Sequence, residues 1–193
     1  NQTERSRVYP TPVVGMVGFI EDVSKYRSIP FKEDGDLILL IGKEKGEIGG
    51  SEFLYILGIE DGRIEDVDFI LETRLLGVLL RAHRLGILKS AHNVGKGGLL
   101  VAVAESIILG NKGATLEIEE DDPIFLFGEF PSRFVVTISK DDLDDLGKLF
   151  SSFRIPYRVL GRVGGDTLSL LGTQIKVEEL REAYKSAIER FFL

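Results

Sequence analysis

Cysteine is absent from this 193-residue sequence, and histidine occurs only twice, as His83 and His92. Without thiols the chain has no disulfide framework, no thiolate zinc or iron–sulfur site and no cysteine nucleophile. Two imidazoles are also too few for a metal site built from several histidines. The sequence therefore belongs to none of the disulfide-rich, zinc-thiolate or cysteine-dependent classes of protein.

Long apolar runs and an excess of positive charge are lacking as well. The longest unbroken apolar runs, such as 37–41 and 99–104, fall far short of the roughly 18 to 20 residues of a membrane span. The chain has 24 Lys and Arg against 31 Asp and Glu, a formal net charge of -7, whereas nucleic-acid binding needs a basic surface. With 44% hydrophobic and 28% charged residues, the composition predicts a soluble globular protein that binds neither membrane nor nucleic acid.

The ends and boundaries of the chain give a first view of its organisation. Asn1–Arg5 carry neither an initiator methionine nor a signal peptide, since no apolar core follows their charges. We therefore expect a processed, truncated or excised chain. Residues 21–35 are polar and contain Pro30 and the turn signal Asp34-Gly35. This stretch is the best candidate for a domain boundary.

The spacing of apolar residues predicts a mixed sheet with helices packed against it, an α/β fold. The predicted strands are 13–19, 36–42, 87–91, 114–118 and 133–139. The predicted helices are 67–85, 99–109 closed by Gly110, one that Ser139 caps, and one from Val177 through Phe191. Residues 157–163 and 167–171 flank Gly164-Gly165-Asp166, whose turn chemistry predicts a β-hairpin.

A strand, a glycine-rich loop and a helix follow one another at residues 87–109. Gly95, Gly97 and Gly98 leave room for a ligand to approach the backbone, and the helix start together with Lys96 can attract an anion. The spacing matches neither the dinucleotide nor the P-loop pattern. Glycine is equally what a tight left-handed turn requires. Two interpretations stay open, a phosphate cradle and a tight connection.

His92 and Asn93 come at the C-terminal end of the predicted strand, where open α/β sheets commonly bind ligands. An imidazole or an amide can orient a substrate there, but neither resembles the carboxylate that magnesium prefers. For His92 we favour a hydrogen-bonded structural histidine. We interpret His83 as a surface residue.

Three other polar stretches have a functional and a structural interpretation. Glu129 and Arg133 can serve a ligand or pair with each other across a loop, and we favour a structural role. The acidic stretch 117–122 can be imagined as a metal site, but a solvated loop is the better interpretation. Residues 49–52 (GGSE) offer a flexible loop with a hydroxyl or a turn from a strand to a helix.

Six segments, in order along almost the whole chain, resemble formylglycinamidine ribonucleotide synthase, within the superfamily that includes aminoimidazole ribonucleotide synthetase. They are YPTPVVGMVGF (9–19), DGDLILLIGK (34–43), GGSEFLY (49–55), AHNVGKGGLLVAVAES (91–106), LGRVGGD (160–166) and VEELREAYK (177–185). The first segment is the most specific, because sister families do not share the string PTPVVGMVG.

The resemblance implies a division of the chain into two parts. The complete enzyme is similar to a fused pair of two-domain units, each with an N-terminal lobe that dimerises through a sheet and a C-terminal α/β lobe. Residues 1–31 are then the tail of the second N-terminal lobe, and residues 32–193 are the second C-terminal lobe. Such a truncated N-terminal lobe should expose an apolar strand edge unless it finds a partner.

The resemblance also implies a reaction and its participants. The family uses ATP and Mg2+ to activate the amide of formylglycinamide ribonucleotide, and ammonia from a glutaminase then displaces phosphate. The implied partners are the remainder of the synthase, a glutaminase subunit, a small accessory subunit and the nucleotide substrate. The implied location is the cytoplasm.

The glycine loop departs from the family pattern. The family motif HDVSxGG reads HNVGKGG here, with Asn93 in place of the acid and Gly95 in place of the hydroxyl. These replacements remove a charged metal ligand and a hydrogen-bonding group. We therefore interpret His92, Asn93, Gly95, Gly97 and Gly98 as a degenerate nucleotide-binding site. No catalytic residue and no metal ligand are assigned in this chain.

The catalytic activity itself is not expected of this chain alone. The family's catalytic histidines, nucleotide-contacting lysine and magnesium carboxylates lie mostly in its first half. Asn1-Gln2-Thr3 resembles the end of the family's GNVSLYNE-like string, whose preceding residues this sequence does not contain. We predict that the chain alone is inactive and completes the scaffold of the enzyme.

Two alternatives stay open on the residues. One is membership of another ATP-dependent enzyme of the same superfamily, such as a selenophosphate synthetase, a hydrogenase-maturation protein or a thiamine-phosphate kinase. The other is a nucleotide-binding or assembly module without chemistry.

Overall fold

Strand β1 (Leu37–Gly42) runs through the sheet and is buried at every residue. Alternate residues of its apolar run belong to two separate hydrophobic clusters, Ile38 and Leu40 to one, and Leu39 and Ile41 to the other. The strand is therefore covered on both faces, as its continuous apolar run predicts. This arrangement is seen in a computed structural model that describes residues 12–59 and 62–189.

The described residues form a seven-stranded mixed sheet and six helices. The other strands are β2 (Leu88–Asn93), β3 (Ala114–Leu116), β4 (Arg133–Ile138), β5 (Tyr157–Val163), β6 (Thr167–Leu170) and β7 (Thr173–Lys176). The helices are α1 (Glu52–Ile56), α2 (Phe69–Arg84), α3 (Gly98–Gly110), α4 (Pro123–Phe127), α5 (Leu143–Ser152) and α6 (Val177–Glu189). The strand order is β2-β4-β1-β5-β3-β6-β7, and the neighbours pair antiparallel except β3 and β6.

Helices cover both faces of the sheet. Buried residues of α3 and α4 pack on one face, with the start of α6 beside them at Val177. Buried residues of α2 and α5 pack on the opposite face, where Leu75 and Phe150 are fully buried. The result is a three-layer arrangement of helices, sheet and helices. The predicted α/β class is confirmed.

Capping residues account for the helix boundaries. The Asp68 side chain accepts hydrogen bonds from the first amides of α2, and Ser139 accepts from Asp141 before α5, as predicted. The residue in left-handed conformation after α3 is Asn111 rather than Gly110. Position 110 requires glycine for another reason, because a Cβ there would lie 2.6 Å from the Phe31 carbonyl oxygen.

The predicted hairpin at Gly164-Gly165-Asp166 is wrong. Strand β3 lies between β5 and β6. Gly113, just before β3, accepts from the Gly164 amide at 2.9 Å and donates to the Gly165 carbonyl at 2.8 Å. The turn residues therefore separate two strands that pair with a third instead of with each other. The hairpin is formed by β6 and β7, with Leu171 and Gly172 at positive φ.

The predicted strand at 13–19 is also not formed. Residues 12–20 pair with no strand of the described chain, and their apolar side chains are exposed, Val17 by 99%. A strand needs a partner for its backbone hydrogen bonds. The chain joins the packed structure further on, where Ser28 bridges Ser90 and Phe31 enters the core. Predictions for residues 1–11 and for Phe191 lie outside the described residues.

Among residues 12–59 and 62–189, no helix has both the length and the apolar character needed to cross a bilayer.

Candidate functional site at the glycine loop

The glycine loop follows the C-terminal end of β2 and leads into α3. Both β1 and β2 pair antiparallel with β4, so the C-terminal ends of β1 and β2 lie on the same side of the sheet, at the start of β4. The loop that follows β1 and the segment 128–132, which precedes β4, therefore lie next to the glycine loop. The amide of Val94 donates to the Arg133 carbonyl at 2.9 Å, which ties the start of the loop to β4.

The backbone conformation requires two of the loop glycines. Gly97 and Gly98 have φ values of +79° and +75°, which other residues rarely adopt. A Cβ at Gly98 would lie 2.4 Å from the carbonyl carbon of Phe127. Gly95 differs, because its Cβ would meet only the Asn93 side chain at 3.3 Å. The geometry of Gly97 and Gly98 agrees with a tight connection.

The carboxylate of Glu129 accepts the hydrogen bonds of backbone amides at this loop. Its Oε1 accepts a hydrogen bond from the Gly97 amide and another from the Glu52 amide, each at 2.8 Å. The N-cap of α3 is Gly97, which has no side chain to cap the helix. A carboxylate from a distant segment therefore satisfies an amide at the start of α3, where negative charge is favoured.

Arg133 has a structural role, as favoured, but it does not pair with Glu129. Its side chain is 1% exposed, and the guanidinium donates to four backbone carbonyls. These are Gly128 at 2.7 Å, Phe125 at 3.0 Å, Glu44 at 3.1 Å and Lys43 at 3.2 Å. Burial lowers the pKa of Arg133 to about 10. The predicted pairing is wrong because the carbonyls at the end of α4 and after β1 use all three guanidinium nitrogens.

His92 is directed towards α3 and not towards the loop amides. Its Nε2 lies 2.7 Å from Oε2 of Glu105, about two turns beyond the start of α3. Its Nδ1 is buried and has no hydrogen-bond partner among the described residues. Asn93 is exposed at the end of β2. The structure thus brings Gly97 and Glu129 together and places the histidine elsewhere.

The lysines around the loop are held by carboxylates. Lys96 lies 2.7 Å from Glu52, and this hydrogen bond raises the pKa of Lys96. Lys43 lies 3.1 Å from Glu47 and 3.3 Å from Glu65. Burial alone would lower the pKa of Lys43, but the two carboxylates outweigh it and the pKa is raised. Both ammonium groups are therefore charged and partnered.

The acidic stretch 117–122 is an irregular segment that binds basic side chains. Arg158 donates to both oxygens of Glu120, each at 2.7 Å, and holds the pKa of Glu120 at about 2. Asp122 caps α4 and lies 2.7 Å from Lys45. Within residues 12–59 and 62–189, no three histidine or acidic side chains are grouped so that they could hold a metal ion.

Ser51 shows that residues 49–52 form a turn from a loop into a helix. Its hydroxyl is the N-cap of α1 and accepts from the Leu54 amide. The sequence suggested this turn, but not that the next amide, that of Glu52, donates to Glu129. No local signal identifies this contact, because the two residues are far apart in the chain. The Phe53 ring stacks on Phe127 at 5.2 Å and fixes α1 against the same segment.

A family profile matches most of the chain. The profile of the AIR synthase related protein, C-terminal domain, covers residues 33–171. The chain belongs to this family. It is 40% identical to the phosphoribosylformylglycinamidine synthase subunit PurL of Alkaliphilus metalliredigens, over 98% of this chain and 27% of the relative. The resemblance inferred from the six segments is confirmed, and the chain spans about a quarter of the length of the curated relatives it matches.

Solved structures show the same fold. Thermotoga maritima PurL complexed with FGAR superposes with a TM-score of 0.69 at 20% identity, over 82% of this chain and 30% of that one. Structures of the Thermotoga maritima protein also include a complex with ATP and an assembly named PurLQS. A thiamine-monophosphate kinase from Stenotrophomonas maltophilia has a TM-score of 0.53 at 21% identity, over 77% of this chain and 54% of that one.

Proposed function

We propose that this chain forms part of a phosphoribosylformylglycinamidine synthase, the ATP-dependent ligase that converts formylglycinamide ribonucleotide and ammonia to formylglycinamidine ribonucleotide. The observation that carries the proposal is the 40% identity to a PurL subunit over 98% of the chain. The thiamine-monophosphate kinase has the lower TM-score, 0.53 against 0.69. The synthase is therefore favoured over another ATP-dependent enzyme of the same superfamily.

Within that enzyme we assign the chain a scaffold role. His92, Asn93, Gly95, Gly97 and Gly98 form the degenerate nucleotide site of this lobe. A magnesium nucleotide does not fit the residues present: the Gly97 amide is held by Glu129, and no acidic cluster suited to a metal ion is found among the described residues. The ATP and Mg2+ of the reaction belong to other parts of the enzyme. No step of the reaction is assigned to this loop.

The division into lobes follows from the same proposal. Residues 1–31 are the tail of an N-terminal lobe, and residues 32–193 are a C-terminal lobe. The exposed apolar side chains of 12–20, such as Val17 and Phe19, support this division because they need a covering partner. That partner is the remainder of the synthase. A glutaminase and a small accessory subunit complete the cytoplasmic enzyme, and the PurLQS assembly of Thermotoga maritima supports this composition.

A chimera tests the proposal. The chain replaces the matching segment of the Alkaliphilus metalliredigens PurL subunit, and ammonia-dependent ATP hydrolysis with formylglycinamide ribonucleotide is measured. We expect an active chimera and no turnover by the 193-residue chain alone. A folded but inactive chimera would contradict the assignment to this enzyme. Robust turnover by the chain alone would contradict the scaffold role and leave the assignment intact.

A further inference from the structure

Helix α2 has apolar side chains on two opposite faces. Its inner face, with Leu75, Val78 and Ala82, is buried in one hydrophobic cluster with residues of β1 and β4. Its outer face is apolar as well, and the large side chains there are 45% to 76% exposed: Phe69, Ile70, Leu76 and Leu80. The outer face of a surface helix normally has polar residues. An exposed apolar face of this kind indicates an interaction surface.

The spacing of the outer residues indicates what kind of element covers them. Residues 69, 73, 76 and 80 follow one another at intervals of four, three and four positions: Phe69, Thr73, Leu76 and Leu80. Thr73 is exposed like the other three. This is the a/d spacing by which two helices pack along each other. The four residues form a seam along the outer face of α2, and we expect its partner to be a helix.

Gly77 lies beside this seam in the middle of α2 and is exposed. Glycine destabilises the interior of a helix relative to alanine. A Cβ at this position would contact only the Phe153 side chain, at the ordinary van der Waals distance of 3.9 Å. Packing within the described residues therefore does not require glycine here. A missing side chain beside the seam does, however, let a second helix approach α2 closely.

The two ends of α2 carry opposite charges. Asp68 and Glu72 lie at its start, and Arg81 and Arg84 lie at its end. Both arginines are exposed, and neither forms an ion pair with a residue that the structure describes. When two copies of the helix run antiparallel, the basic end of each lies beside the acidic end of the other, whereas parallel helices bring like charges together. The outer side of α2 is thus complementary in charge to a second copy of itself.

We propose that the outer face of α2 pairs antiparallel with the same face of a second copy of this chain. The contact is isologous, with a two-fold axis near Leu76 and Gly77 at the middle of the helix. The seams of the two helices pack on each other, and the absence of a side chain at Gly77 brings the backbones close. Since α2 lies on the face of the sheet opposite α3, the pairing goes beyond the role proposed for the glycine loop and does not depend on it.

Analytical ultracentrifugation of the 193-residue chain tests the pairing. We expect the wild type to change from monomer to dimer as the concentration rises from about 1 μM to 1 mM. Leu80→Glu places a charge in the seam and keeps a good helix former, so the association constant should fall by about tenfold or more. Val17→Glu is the matched control, because Val17 is an exposed apolar residue outside α2. It should leave the association constant unchanged.

Single cysteines test the antiparallel arrangement, since the chain has none of its own. Under mild oxidation Leu76→Cys should form a dimer with itself, because position 76 lies near the two-fold axis. Phe69→Cys should not, because the two copies of position 69 are about 20 Å apart in antiparallel helices, too far for a disulfide. A mixture of Phe69→Cys and Leu80→Cys should form the mixed dimer, because these positions lie close together across the contact.

Three outcomes would overturn the proposal. A wild-type chain that stays monomeric throughout would assign the outer face to another partner, such as the remainder of the synthase. A folded Leu80→Glu variant that associates like the wild type would place the contact on another surface. Phe69→Cys that cross-links with itself and not with Leu80→Cys would show parallel helices. If circular dichroism shows that Leu80→Glu does not fold, Arg84→Glu is judged by the same criteria, because it brings acidic side chains together at both ends of the contact.

Discussion

The guanidinium of Arg133 lies 2.7 Å from the carbonyl oxygen of Gly128 and, among the described residues, has no carboxylate partner. It joins the carbonyls that follow β1 to those at the end of α4. Glu129 comes directly after Gly128, so the same contact helps to place the carboxylate at the glycine loop. A buried positive charge thus positions a partly buried negative one without touching it.

The first prediction concerns Arg133. Replacement by Met leaves four buried carbonyls without their donor, and we expect a loss of about 2 to 4 kcal/mol in the free energy of unfolding. Arg133→Lys keeps the charge but loses the forked geometry, so its effect should be smaller. Urea denaturation followed by circular dichroism measures both. The control is Arg162→Met, an exposed residue 3.8 Å from Glu117, which should change stability by about 0.5 kcal/mol or less.

The second prediction separates the glycines of the loop. Gly98→Ala places a Cβ 2.4 Å from the Phe127 backbone at a φ of +75°, so we expect a loss of about 2 to 4 kcal/mol. Gly95→Ala is the matched control, because its Cβ would only push a flexible side chain at 3.3 Å. Its cost should stay below about 1 kcal/mol. Equal effects in urea unfolding experiments would contradict the packing described for Gly98.

Local patterns predicted much of the fold. The continuous apolar run of β1 predicted a strand buried on both faces, and Ser139 marks the turn that leads into α5, as the structure has it. Asp122 followed by Pro123 is the same kind of signal for α4, but the helix is only five residues long and was not predicted. The predictions that were wrong concern features that depend on residues far apart in the chain. The Gly164-Gly165 turn has hairpin chemistry, yet β3 takes the position between the two strands.

In the candidate site too, local motifs were predicted from the sequence and long-range contacts were not. Its glycines were identified from the sequence, because a glycine loop between a strand and a helix has a recognisable pattern. His92 was predicted together with them, but it lies beside Glu105 of α3 instead. The contact of Glu129 with Gly97 was not predicted, since it joins residues 32 positions apart. The contact exists because Arg133 and Glu47 fix the segment around Glu129. Such a relationship depends on tertiary packing, and no periodicity or motif in the sequence encodes it.

The third prediction is a pH dependence. Arg158 lowers the pKa of Glu120 from its ordinary 4.5 to about 2 in the folded chain. A depressed pKa stabilises the folded state above the unfolded value, and this contribution is lost as the pH falls through the folded value. We therefore expect the stabilisation from this pair to disappear between about pH 4.5 and pH 2. Carboxyl carbon NMR titration should give a midpoint for Glu120 of about 2.

Variants of two arginines on β5 test whether Arg158 is the cause of the lowered pKa of Glu120. Arg158→Gln should move the Glu120 midpoint back towards 4.5, because its bidentate partner is gone. Arg162→Gln, on the same strand, should leave it unchanged. A midpoint near 4.5 in the wild-type chain would show that the pair does not persist in solution.

The fourth prediction uses the exposed apolar segment that precedes the packed structure. Val17 and Phe19 are 99% and 91% exposed, so Val17→Ser and Phe19→Ser should change the unfolding free energy of the chain alone by about 0.5 kcal/mol or less. If the proposed division into lobes is correct, we expect these side chains to be buried in the chimera with the rest of the synthase. Each substitution should then cost about 1.5 to 3 kcal/mol, the value of a buried Val or Phe side chain.

Thermal unfolding and activity of the chimera measure the effect of the two serine variants. The control is Val136→Ser in β4, which is 0% exposed and should destabilise the chain alone and the chimera equally. Serine variants at 17 and 19 that are neutral in both would contradict a covering partner for this segment. Variants that destabilise the chain alone would show that the segment already packs on it. Only an effect confined to the chimera agrees with a lobe completed by the rest of the enzyme.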